Sequence, residues 1–253
     1  MARTITLIGF ILLEYIRSGR IWIEIGAMLA CYIALLRGEP VIGVEPEHFF
    51  LTSGLFLLGL TIYTVSTVVS LGDRIQGYLI LSRRVGRVGY LLGLYGSAIV
   101  ILVTMYITLA LITSLFSGIA GLGLNGWVLG TLPLLLNVGL LAALLLMLSP
   151  LVFATGWRLL VLFLIALAFS SNFLGSATVE TLNPTIQSLL RGVQTILSWP
   201  LVPAFSGFAL SLSRDYSGSA PVILVAQVSL LVALLSLAIY AFSHRELMLS
   251  TEG

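Results

Sequence analysis

The run VGYLLGLYGSAIVILVTMYITLALITSLF, residues 88–116, carries no charged side chain. At a helical rise of about 1.5 Å per residue it is longer than the roughly 30 Å hydrocarbon core of a bilayer. A soluble core has no use for an uncharged segment of that length, so the run reads as a membrane span. The chain on either side keeps the same character. Of its 253 residues 59% are hydrophobic and 9% are charged, and the mean hydropathy is +1.13. So little charge does not coat a soluble domain of this size.

Working outward from 88–116, the apolar runs predict six spans, at about 20–36, 49–71, 88–116, 127–148, 159–174 and 221–242. The expected fold is an all-α polytopic membrane protein, with residues 1–253 as one transmembrane domain. Nine arginines fall on one side of these spans: Arg3, Arg17, Arg20, Arg74, Arg83, Arg84, Arg87, Arg158 and Arg245. Three fall on the other side: Arg37, Arg191 and Arg214. The positive-inside rule then places both termini in the cytoplasm of a cell whose inner membrane holds the chain. Trp22, Trp127 and Trp157 sit at predicted span ends, where indole rings prefer the interface.

Some function classes are excluded at this stage. A net charge of +2 gives no footprint for nucleic acid. Cys31 is the one cysteine, so no internal disulfide can form, and no metal-ligand spacing surrounds it. His48 and His244 are predicted on opposite sides of the membrane, so no two-histidine or Ser/His site assembles. No catalytic, cofactor-binding or metal-binding residue is assigned. The apolar run 5–13 is interrupted by Glu14 and Arg17 and lacks a cleavage site, so it is not read as a signal peptide.

The segments between the spans carry the functional signal. Residues 4–18 are amphipathic: Leu7, Ile8, Ile11, Leu12 and Tyr15 share one helical face, away from Glu14 and Arg17. A helix lying along the inner membrane surface fits this pattern; the alternative is the start of a long first span. Residues 73–87, DRIQGYLILSRRVGR, are polar at both ends and apolar in the middle. Such a segment forms a short helix that packs on another protein, or a loop whose arginines meet anionic headgroups. An outer helical segment is expected over 183–212. It opens on Asn183-Pro184, an N-cap followed by proline at the first helical position. Pro200 and Pro203 interrupt it, and a second short stretch covers 204–212.

In order and spacing these features resemble the type-2 ABC export permeases over nearly the whole chain. The elbow motif reads Leu13-Glu14-Tyr15-Ile16-Arg17-Ser18. The coupling motif reads Asp73, Gly77, Leu79 to Leu81, Ser82 and Arg87, with Tyr90-Leu91-Leu92-Gly93 opening the next span. Val202-Pro203-Ala204-Phe205 with Gly207 matches the end of the outer loop. Phe242-Ser243-His244-Arg245-Glu246-Leu247 matches the C-terminal motif. The chain departs from the pattern at Arg84, where the family often has proline, and at Leu94, where it often has lysine.

The resemblance implies an exporter subunit with an N-terminal elbow helix and a cytoplasmic coupling helix between spans two and three. No phosphate-binding glycine loop is present, so ATP and Mg belong to a separate ATP-binding subunit. Asp73, Arg74, Gly77, Ser82, Arg83, Arg84 and Arg87 would contact that ATPase, with Glu14 and Arg17 of the elbow supporting them. A second permease chain, the same or related, would complete the path. Thr61, Thr64 and Thr67 of span two and Ser170, Ser171 and Asn172 of span five are the candidate path residues. Hydrogen bonding between helices is the alternative role for each. Glu24 is the one acid within a predicted span and so a functional candidate; four residues past Arg20, it is expected to pair with it near the interface instead. The competing function is a non-transport structural subunit of a membrane complex.

Overall fold

A computed structural model describes residues 2–37, 43–72, 86–153 and 199–244, together with positions 156, 158, 159, 161, 162, 192 and 195. Every regular element among the described residues is helical. In chain order these are α1 (Ala2–Arg17), α2 (Ile21–Cys31) with a π-turn at Tyr32–Leu36, α3 (Pro46–Gly72) and α4 (Gly86–Phe116). They continue with α5 (Leu124–Met147), a 3₁₀ turn at Trp199–Leu201, α6 (Val202–Ser213) and α7 (Ala220–His244).

Among the described residues four helices, α3, α4, α5 and α7, are long and apolar enough to cross a bilayer. The chain is thus a helical membrane protein. The bent pair Thr4–Arg17 and Ile21–Leu36, meeting at 74°, adds a fifth span if taken as one. Of the expected fifth span, 159–174, only positions 159, 161 and 162 are described, and all three are helical.

The bend between α1 and α2 has a local cause. Gly19 sits at φ +74°, a left-handed conformation that costs glycine little. Its N–H donates to Ile16 O at 3.1 Å, closing α1, and its carbonyl accepts Trp22 N–H at 3.2 Å, opening α2. The face of α1 expected from the sequence is the one it buries. Leu7, Ile11 and Tyr15, one turn apart, enter the core, and Ile8 and Leu12 are half-buried. Leu7 packs on Gly93 and Ile8 on Gly96 of α4, where a Cβ would collide with either side chain. Small residues that let helices approach closely are the usual device of membrane packing. The other side of α1 is not uniformly polar, because Ile5, Phe10, Leu13 and Ile16 are exposed there.

The helices α3, α4 and α5 form the centre, with α1 against α4, and α6 and α7 against α5. At one end an isolated bridge joins Val44 to Ile119: Val44 N–H donates to Gly118 O at 3.0 Å and Ala120 N–H to Val44 O at 3.1 Å. Beside it the rings of Phe49, Phe50 and Trp127 stack edge to face with centroids 5.2–6.1 Å apart. Gly130 gives the Phe50 ring its room.

Polar ties at the opposite end cap helix termini. Arg20 Nη1 donates to Ser70 Oγ at 3.0 Å and lies 3.4 Å from Thr67 O, near the end of α3. The Tyr90 hydroxyl donates to Gly72 O, the last residue of α3. Arg87 Nη1 donates to Ser243 O at 2.7 Å, at the end of α7. A cation at a helix C-terminus satisfies orphan carbonyls and opposes the negative end of the macrodipole. These bonds put the α1–α2 bend, the end of α3, the start of α4 and the end of α7 on one side.

Candidate functional site

On the capped side, α3 ends at Gly72 and α4 begins at Gly86, so the segment between them starts and finishes on the side that holds the α1–α2 bend. Within it Asp73, Arg74, Gly77, Ser82, Arg83 and Arg84 lie outside the described residues. Arg87 is half-buried, and its bond to Ser243 O joins the start of α4 to the last helix. In α1, Glu14 is half-buried and Arg17 is exposed. Just past them the Ser18 hydroxyl donates to Tyr15 O at 2.8 Å.

The three candidate threonines of α3 turn inward. Thr61 is fully buried and donates to Leu57 O of its own helix at 2.7 Å. Thr64 is fully buried and donates to Glu24 Oε1. Thr67 is buried, and its carbonyl accepts the Ser70 hydroxyl at 2.8 Å. The outward stripe of α3 is instead Leu51, Leu55, Gly59, Ile62, Ser66 and Ser70. Ser170, Ser171 and Asn172 lie outside the described residues.

Glu24 departs from the expected ion pair. Arg20 reaches α3, as described, while the Glu24 carboxyl is fully buried at the junction of α1, α2 and α3. Its Oε1 accepts the Tyr15 hydroxyl at 2.6 Å as well as that of Thr64. Oε2 has no hydrogen-bond partner among the described residues. The bend makes this possible by folding α1 back so that Tyr15 faces Glu24 nine positions further along the chain.

A second polar cluster fastens α5 to α6 and α7. Gln227 of α7 is fully buried and donates from Nε2 to Asn137 Oδ1 of α5 at 2.8 Å and toward Pro133 O at 3.4 Å. Gly207 of α6 lies against the Gln227 amide, where any side chain would clash. Pro133, inside α5, has no N–H to give to Leu129 O one turn earlier. The Tyr216 hydroxyl, from the loop before α7, donates to that carbonyl at 2.8 Å. Burial pushes the Tyr216 phenol up, which keeps it a donor. In the same loop Ser217 N–H donates to Asp215 Oδ1 at 2.9 Å and holds that carboxyl below its ordinary range.

Asn137, in the expected fourth span, reads from sequence like the hydroxyls of span two, as a path residue or a hydrogen bonder between helices, and nothing in the sequence reading singled out Gln227. The available signal was that each is the single side-chain amide of an otherwise apolar span, and solitary amides in lipid seek one another. Among the described residues no group of three or more His, Cys, Asp or Glu side chains could hold a metal ion. No protein-family model, curated protein or solved structure matches the chain.

Proposed function

We propose that this chain is the membrane-spanning subunit of an ATP-binding cassette exporter, set in the inner membrane with both termini cytoplasmic. A separate ATPase subunit carrying ATP and Mg drives it, and a second permease chain, the same or related, completes the path. The observation that carries the reading is an arrangement. A bent amphipathic helix precedes the first long helices, and an arginine-rich segment joins α3 to α4 on the side of that bend. The short helix α6 packs near the opposite end, before the last span. This is the order of elbow, coupling helix and outer helix on which the sequence resemblance rests.

In this reading residues 73–87 are the ATPase contact, and Arg87 passes force from that contact into both α4 and α7. Because Thr61 and Thr64 are buried within the chain, the surface of α3 offered to a path or a second chain is the stripe from Leu51 to Ser70. Gly59 and Ser66 make it narrow enough for close helix approach.

The test is recovery of the tagged full chain from its native membranes in mild detergent. The expected result is a stoichiometric subunit that hydrolyses ATP. It is lost when Arg74, Arg83 and Arg84 are changed to Glu, while the chain itself stays in the membrane. Recovery with other membrane proteins and no ATPase favours the structural-subunit reading. Labelling of cysteines placed at 77 and 82 from outside the cell refutes the exporter reading outright.

A further inference from the structure

The Glu24 junction has a property that hydrogen bonding between helices does not account for. A carboxylate spreads its charge over two oxygens, yet only one of them is served here. Oε1 takes both hydroxyls, and Oε2 is buried with no donor among the described residues.

Among the described residues, the groups around it supply no countercharge. From α1 the phenol of Tyr15 faces it, while Arg17 is exposed. From α2, Arg20 lies one turn before it and is turned to Ser70 and Thr67. Met28 and Cys31 continue its buried face. From α3 it meets Thr64, with the half-buried phenol of Tyr63 adjacent in sequence. The titratable groups of α4 are engaged elsewhere: Tyr90 on Gly72, Tyr95 on Gly139, Tyr106 with Thr131, and Arg87 on Ser243. An ionised carboxylate in such a place is uncompensated, whereas a neutral acid with one undonated oxygen is far cheaper to bury.

We propose that Glu24 is a proton-binding site, its carboxyl holding the proton on Oε2 and, in that neutral form, latching α1 across the bend to α2 and α3. The balance is simple: the carboxylate takes up one proton to give the acid, and Oε1 remains the acceptor for Tyr15 and Thr64. When the proton leaves, charge appears on an oxygen that no donor among the described residues reaches. Relief comes from admitting water, and that parts α1 from α2. The site needs no ATPase and no transport cycle, so it stands or falls apart from the exporter reading.

The test uses the full chain in lipid nanodiscs. Infrared spectra are recorded across pH for the wild type, E24Q, Y15F and T64V. The expected result is a protonated-acid carbonyl band at neutral pH that is wholly absent from E24Q. Y15F and T64V keep the band but move it, because each removes a donor to the same carbonyl oxygen. A second readout is the distance between spin labels on Ile16 and Ser66 in a Cys31→Ala background. It stays narrow at neutral pH, broadens at alkaline pH in the wild type, and does not broaden in E24Q. The proposal is overturned if neutral pH gives only carboxylate bands, if an acid band fails to move in both Y15F and T64V, or if E24Q broadens with pH as the wild type does. Should E24Q not fold, the band shifts in Y15F and T64V decide alone.

Discussion

Replacing Tyr216 with Phe removes one hydroxyl and leaves the ring in place. The hydroxyl donates at 2.8 Å to Leu129 O, the carbonyl that Pro133 leaves without a helical donor. Hydrogen bonds in membrane proteins contribute about 0.6 kcal/mol on average and about 1.7 at most. A buried carbonyl left with no partner costs about 1–3 kcal/mol. Leu129 and Tyr216 are both half-buried, so water replaces part of the lost bond, and a cost of about 1 kcal/mol follows. That is a change of about fivefold in the folding equilibrium. The specific claim is that the cost depends on Pro133. Pro133→Ala restores an N–H one turn after Leu129, so Tyr216→Phe in that background should cost less than about 0.3 kcal/mol. The whole cycle is read by reversible unfolding in mixed micelles, where the stability change from Pro133→Ala alone cancels out. Equal costs for Tyr216→Phe in the two backgrounds would refute the idea that this phenol repairs the proline gap.

Three further outcomes are expected. Gly130→Ala pushes a methyl into the Phe50 ring and should destabilise the fold by about 1–3 kcal/mol, with the Trp127 fluorescence shifted as the three-ring stack opens. Gln227→Leu strands the buried Asn137 amide and should cost about 1–3 kcal/mol, while the double change with Asn137→Leu should recover most of it; thermal unfolding of the three variants decides. Arg87→Met removes the cap from α7 at a cost of about 0.3–1 kcal/mol, and hydrogen exchange should rise in the last turn before His244 with no change in α5.

The long helices were legible because lipid leaves one strong signal, an uninterrupted apolar run. Runs expected at 49–71, 88–116, 127–148 and 221–242 correspond to α3, α4, α5 and α7, whose ends differ by a few residues. The amphipathic face of α1 was legible for the same reason. The change to a π-turn at Tyr32 was not, since nothing in Tyr32–Leu36 distinguishes it from a regular helix. Glu24 shows the limit most clearly. Spacing along one helix offered Arg20 as its partner, but the bend and the approach of α3 put Thr64, forty positions away, within reach instead. Tyr216 and Leu129 are separated by 87 positions, and only the folded arrangement of α5 and the loop before α7 brings them together.

The central helices differ in length. At about 1.5 Å per residue, α4 with its 31 residues spans roughly 46 Å and α5 with its 24 roughly 36 Å, against a hydrocarbon slab of roughly 30 Å. The Val44–Ile119 bridge and the Tyr90 bond register α4 against α3 at both ends, so the surplus cannot be absorbed by sliding. It emerges as tilt, or as the turn Gly86–Gly89 standing beyond the end of α3. Membrane thickness is therefore a variable to which this fold responds. A thicker bilayer draws that turn toward the acyl chains, and a thinner one lifts it further into the aqueous phase.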